Sequence, residues 1–169
     1  VEVEEPDMHN PSGDLERLVD ALEKQWQLKG VQADFNILLQ MQQVLRKGEW
    51  KVTCAVHHAD GETNPQIIHL WSGLYEGTIY GMAVDLGSTT IAAHLCDLRT
   101  GEVVASSGIM NPQIRFGEDL MSRVSYAMMN KGGDKEMTQA VRDGMDALFT
   151  QISVDAEIDK KLIMDAVFV

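Results

Sequence analysis

Residues 80–96 constrain the fold more than any other stretch. Tyr80-Gly81-Met82-Ala83-Val84 is an apolar run that ends in Asp85. After Leu86 come Gly87 and three hydroxyl residues, Ser88, Thr89 and Thr90, and then a second apolar run, Ile91-Ala92-Ala93-His94-Leu95-Cys96. The pattern predicts strand, tight polar turn, strand. Gly87 can take a positive φ and lets the backbone come close to a ligand. Successive N–H groups in such a turn can point into one concavity that holds an anion. The three hydroxyls add donors, and Asp85 is placed to hold magnesium through water. Phosphate plus magnesium is one reading of the turn. A hairpin with a polar tip is the other.

The residues that follow extend the same unit. Strands are predicted over 91–98 and 102–110, joined by Arg99-Thr100-Gly101. Asn111-Pro112 breaks the pattern. A helix is predicted from Gly117 to Asn130, with Leu120, Met121, Val124, Ala127 and Met128 as a core-facing stripe. Asp134 is the expected N-cap of the next helix, which buries Met137, Ala140, Val141, Leu148, Phe149 and Ile152. A short helix over 156–161 and a final strand over 165–169 complete the order β-β-β-α-α-β. The uncapped run Ala166-Val167-Phe168-Val169 and the absence of an initiating Met suggest a piece of a longer chain.

Upstream, residues 1–11 are acidic with two prolines and read as a linker or frayed end. A helix is expected over 12–29, with Leu15, Leu18, Val19, Leu22 and Trp26 on one face, Ser12 or Asp14 as its cap and Gly30 as its stop. A second runs from Asp34 to Lys47. Phe35, Leu38, Leu39, Met41, Val44 and Leu45 cover more than one of its faces, which predicts deep burial. The period then changes to two, with Trp50, Val52, Cys54 and Val56 alternating with polar or small residues. Asp60-Gly61 with Asn64-Pro65 signals a turn, and residues 66–71 a return strand. Residues 12–77 therefore form a small α/β domain near the lower size limit for an independent core. His57 and His58 point to opposite faces of a strand and cannot clamp one ion. His69 facing one of them would supply only a second ligand. His94, inside a strand, reads as structural.

Composition excludes some functions. With 14 basic against 26 acidic residues, the chain lacks the basic surplus of a nucleic-acid binder. Cys54 and Cys96 form no CxxC pair and sit in apolar runs, which reads as core thiols in a reducing compartment. No stretch of about 18 apolar residues calls for a membrane. A cytoplasmic protein is expected.

Asp85-Leu86-Gly87-Ser88-Thr89-Thr90 resembles the first phosphate loop of the actin, sugar-kinase and heat-shock-chaperone ATPase superfamily. Residues 97–104 look like the next hairpin of that fold. Residues 111–123, Asn-Pro-Gln-Ile-Arg-Phe-Gly-Glu-Asp-Leu-Met-Ser-Arg, resemble a segment typical of one branch, the ATP-dependent reductive activators of corrinoid proteins. The likeness covers residues 78–169 well and 12–75 more loosely. It implies that 78–169 begin an actin-like ATPase domain, a partial ribonuclease-H-like lobe, with 12–77 as the domain before it.

The resemblance further implies ATP and Mg2+ as cofactors. Asp85 would orient the magnesium or the attacking water, and Gly87, Ser88, Thr89 and Thr90 would hold phosphate oxygens. It implies a [2Fe–2S] cluster in an upstream ferredoxin domain, and one-electron reduction of a cobalt(II) corrinoid protein to cobalt(I). The partners would be that corrinoid protein, an electron-donor protein and a second copy in a homodimer. In the same segment Arg115, Glu118, Asp119 and Arg123 read first as a helix start with acids at its N-terminus. The alternatives are a small-molecule kinase of the same superfamily, or an interaction module with a vestigial phosphate loop.

Overall fold

A computed structural model describes residues 1–58 and 64–169. The Asp60-Gly61 part of the expected turn lies outside the described residues. The chain divides into two compact units, Val1–Gly77 and Thr78–Val169.

The first unit contains helix α1 (Asp14–Trp26), the two-residue strand β1 (Gln32–Ala33), helix α2 (Phe35–Lys47) and strands β2 (Val52–His57) and β3 (Gln66–Ser72). Its sheet has the order β1-β3-β2, with β1 parallel and β2 antiparallel to β3. Helix α1 starts where Glu16 Oε2 accepts the Gly13 N–H at 3.0 Å, so neither Ser12 nor Asp14 is the cap. It stops at Gln27, which takes the left-handed conformation, three residues before the expected Gly30. Asp34 caps α2 by accepting the Asn36 N–H at 2.8 Å. Leu18, Leu22, Ile37, Met41, Leu45, Val52 and Ile67 form the centre of the core.

Four further expectations for this unit fail. Residues 1–3 are not frayed: Val3 is buried and its N–H donates to the Trp50 carbonyl at 2.7 Å. Helix α2 is amphipathic rather than deeply buried, with Phe35, Leu38 and Leu39 exposed, and Trp26 of α1 is exposed as well. Trp50 lies outside β2, because Glu49 and Trp50 both take positive φ in the turn after α2. Opposite His69 in the sheet stands Ala55, while His57 pairs with Gln66. Cys54 is partly buried, and burial pushes its thiol up to about 11.

The second unit contains β4 (Tyr80–Leu86), β5 (Thr90–Asp97), β6 (Val103–Met110), a 3-10 turn (Pro112–Phe116), α3 (Leu120–Met129), α4 (Gly133–Asp155), a 3-10 turn (Lys160–Leu162) and β7 (Ile163–Phe168). The sheet order is β6-β5-β4-β7, antiparallel except for β4 against β7. Beyond β7, the Leu86 N–H donates to Val169 O and the Val169 N–H to Val84 O, both at 2.9 Å. Strand period two sends Met82, Val84, Ile91, Ala93 and Leu95 to one face, where Val141, Leu148 and Ile152 of α4 cover them. Ala83, Asp85 and His94 are exposed on the other face. His94 Nδ1 lies 2.7 Å from the Ser106 hydroxyl across the sheet.

Here the corrections concern helices. Leu120, Met121, Val124 and Met128 are exposed, so the stripe on α3 is not core. The residue of α3 that is buried is Arg123. Helix α4 is capped by Gly132 in the left-handed conformation, and Asp134 sits in the first turn, where a carboxylate favours the helix N-terminus. The segment expected as a helix over 156–161 becomes a 3-10 turn beginning at Lys160, capped by Asp159.

Candidate functional site

The turn between β4 and β5 is shaped by what captures its carbonyls. Asn111 stands at the end of β6, buried, with Pro112 after it to start the 3-10 turn. Its Nδ2 donates to the Gly87 carbonyl at 2.8 Å, and its own N–H donates to the Thr89 carbonyl at 2.8 Å. Its Oδ1 accepts the Gln113 N–H at 2.9 Å. Arg123 is 5% exposed. Its Nη2 donates to the Ser88 carbonyl at 2.7 Å and its Nε to the Gly117 carbonyl at 2.8 Å. Three consecutive turn carbonyls are thus held on one side by groups from two later elements. The N–H groups of Ser88 and Thr89 donate to no described group. That arrangement leaves donors for an incoming acceptor.

Gly87 is needed here for space. Its φ is not positive, and a Cβ would lie 2.6 Å from the Thr90 carbonyl oxygen, closer than any side chain tolerates. Gly117 serves the same end at the start of α3, where a Cβ would fall 2.7 Å from Ser122 Cβ and 2.8 Å from the Arg123 nitrogen.

Asp85 is exposed at the end of β4 and enters no ion pair among the described residues. Ser88, Thr89 and Thr90 are exposed too. An open cleft of about 410 Å³ borders the turn on its helix side, and Gly87 and Ser88 line it together with Asn111, Arg123, Arg142 and Met145. Asp85, Thr89 and Thr90 are not in that lining. The turn therefore has two sides: Asp85 belongs to the open sheet face, while Gly87 and Ser88 border the cleft.

Of the other acids and bases singled out, Asp119 caps α3. Its Oδ1 accepts the Ser122 N–H at 2.7 Å, and this bond is the main cause holding the carboxyl below its ordinary range. The Arg115 guanidinium lies 4.7 Å over the Phe116 ring, which in turn meets Tyr126 with ring centroids 4.9 Å apart. Glu118 is exposed.

Sequence reasoning missed Asn111 and Arg123 as turn-holding residues. An Asn before a Pro is a recognised start signal for a helical turn, so the cap of Asn111 was legible; the reach of its amide to Gly87 was not. Nothing local marks Arg123. Arg142 was missed for the same reason.

A mixed α/β protein with a four-stranded sheet, one antiparallel hairpin turn held open by later elements, and a cleft beside it is the class this unit defines. Comparison with known proteins places the chain more closely. The model of the RACo linker region matches residues 1–77, and that of the RACo middle region matches residues 80–169. The chain belongs to the RACo family, as its linker and middle regions. It is 32% identical over 93 residues to "Corrinoid activation enzyme RamQ" of Eubacterium limosum, covering 55% of this chain and 16% of that protein. It is also similar to the solved structure of a "Reductive activator for corrinoid,iron-sulfur protein", at 30% identity and a TM-score of 0.78 over 99% of this chain. The chain spans 26% of that structure's length.

Proposed function

We propose that these residues are the linker and middle part of an ATP-driven reductive activator that returns an inactive cobalt(II) corrinoid protein to cobalt(I). The observation that carries this reading is the β4–β5 turn, with its carbonyls held back and its Ser88 and Thr89 amides open. The strand order and the single parallel pair, β4 with β7, support reading residues 78–169 as the start of a ribonuclease-H-like lobe of an actin-like ATPase. The unit Val1–Gly77, whose start is buried at Val3, would be the domain before it, longer at its start than the expected 12–77.

In this reading Gly87 allows close approach, and the amides and hydroxyls of Ser88, Thr89 and Thr90 hold phosphate oxygens. Asp85, exposed and in no ion pair among the described residues, suits a water-mediated magnesium contact. When bound, Mg2+ would neutralise phosphate charge. Phosphoryl chemistry depends mainly on positioning and charge stabilisation, which a braced turn supplies. One loop is only part of a phosphate cradle, so a second lobe must complete it. Cys54 and Cys96 lie in separate units and do not fit a [2Fe–2S] cluster, which takes four cysteines. The cluster is assigned to another part of the activator.

Cobalt(I) is strongly reducing, so the electron moves uphill from an ordinary ferredoxin cluster. Each 59 mV of one-electron mismatch is about a factor of ten in equilibrium. A nucleotide cycle offsets this when the ATP-bound and free states differ in affinity for the corrinoid protein. A cytoplasmic homodimer served by an electron-donor protein completes the proposal.

The test uses the full-length activator, its corrinoid partner, a low-potential donor and Mg-ATP. The cobalt(I) absorbance should return with ATP and fail to return without it. Asp85→Ala should abolish the ATP dependence while leaving the fold intact by circular dichroism. Equal recovery without ATP would remove the coupling.

A further inference from the structure

The sheet of the first unit has an open edge beside an apolar groove. Strand β2 is the last in the order β1-β3-β2, and its outer side is paired only where Val1–Val3 run along it. The Val1 nitrogen donates to Val52 O at 2.7 Å, and the Val52 N–H donates back to Val1 O at 3.0 Å. Glu2 bridges Lys51 in the antiparallel sense, and the Val3 N–H donates to Trp50 O at 2.7 Å. Gln25 of α1 holds the far side of this short stretch. It accepts the Glu2 N–H at 3.0 Å and donates to Glu2 O at 2.6 Å. Strand β2 itself continues to His57.

In an antiparallel strand the N–H and C=O of one residue point to one side and those of the next residue to the other. Val52 turns both groups toward Val1, so Cys54 and Val56 turn theirs to the same edge. The extra residue of the bulge beside Ala55 is Ile68 on β3, which keeps the alternation of β2 intact. Among the described residues no strand lies opposite Cys54 and Val56 on that side. An unpaired edge of this kind accepts a further strand. A groove of about 420 Å³ lies beside it, lined by Val1, Cys54 and Val56, by Leu22 and Trp26 of α1, and by Leu28 after that helix. Trp26 and Leu74, which also lines the groove, are 66% and 81% exposed.

We propose that in the full-length activator the residues immediately before Val1 continue this pairing as a fourth strand along β2, and that their side chains fill the groove. The proposal rests on reading this chain as part of a longer activator, a reading supported by its spanning 26% of the length of the solved relative. The pairing of Val1 with Val52 and of Glu2 with Lys51 already sets the register. The position two before Val1 falls opposite Cys54, and the position four before falls opposite Val56. Period two turns both to the side of Val1, which packs on the core with Cys54 and Val56. Both positions therefore take apolar side chains, received by Leu22, Trp26 and Leu28. A separate partner must find this edge by collision. A strand continuous with Val1 is delivered to it at an effective concentration on the order of millimolar or above. The upstream chain then joins the first unit at the His57 end of β2.

The test uses the full-length activator with a cysteine substituted two positions before Val1. Its Cα would stand about 5.5 Å from that of native Cys54, within the span of a disulfide. Oxidation with diamide should join the two in most molecules, read by mass spectrometry as one linked pair of peptides that Cys54→Ser abolishes. A cysteine substituted one position before Val1 faces the other side of the sheet and should not link. In the unaltered activator the Cys54 and Val56 amides should exchange as slowly as that of Val52, which is already paired. Linking from both positions alike, linking from neither, or free exchange at Cys54 would overturn the proposal. Slow exchange without the link would show that a different chain covers the edge, and would overturn it too. If the link fails while cobalt(I) recovery still needs ATP, the strand alone is wrong. If the link forms in a protein that shows no such recovery, the activator reading alone is wrong.

Discussion

Each unit buries one arginine on backbone carbonyls, and the two differ in what they leave over. Arg17 of the first unit is 4% exposed. Its Nε donates to Ser12 O at 3.1 Å, its Nη1 to Glu4 O at 3.3 Å, and its Nη2 to Asn10 O. All three nitrogens hold the segment that leads into α1. Arg123 of the second unit uses two of its three, on Gly117 and Ser88. Each nitrogen of the first guanidinium makes one bond, and its work is to fasten a chain segment. The second fastens a turn with two of its nitrogens; both arginines border a cleft, Arg17 one that Glu2, Glu4 and Asp20 also line, Arg123 one lined by no carboxylate. The same buried cation thus ties down backbone in both units, with three carbonyls in one and two in the other.

Substitution with Met, which keeps bulk and removes the donors, would sharpen this contrast. Arg17→Met strands three carbonyls and should cost about 3 kcal/mol, read as earlier denaturant unfolding of the first unit with residues 4–12 losing amide protection. Arg123→Met strands two and should cost about 2 kcal/mol, read as earlier unfolding of the second unit with the Asn111 amide losing protection. Equal costs for the two substitutions would mean that the number of carbonyls held does not set the effect.

A smaller effect is expected at the turn itself. Gly87→Ala places a methyl against the Thr90 carbonyl, and overpacking of this kind costs about 1–3 kcal/mol. Hydrogen exchange should locate the change at the Asn111 and Thr90 amides. A neutral result would mean that the turn yields easily and is not held by its neighbours.

The smallest concerns acidity. The Asp119 carboxyl is lowered in the folded state from 3.8, so its cap on α3 contributes fully above that pH and is lost as the pH falls through the depressed value. Asp119→Asn should flatten the acid limb of the stability curve slightly below pH 3.8. An unchanged limb would leave the Ser122 bond without energetic weight.

The β4–β5 hairpin was legible because alternation and turn chemistry coincide there. Apolar periodicity was less informative on α2 and α3. It locates a stripe such as Leu120, Met121, Val124 and Met128, but says nothing of whether a covering surface lies within the chain. Strand β1 is two residues long and leaves no period to read. The candidate turn residues were visible in the sequence. The groups that shape the turn, Asn111 and Arg123, lie 24 and 35 residues from the carbonyls they hold, and only the folded chain brings them there.

Strand β4 is gripped along both edges, by β5 on one side and by β7, continued through Val169, on the other. The strand that carries the turn is therefore paired up to its last residues, and the turn itself is tied to two later stations of the chain, Asn111 at Gly87 and Thr89 and Arg123 at Ser88.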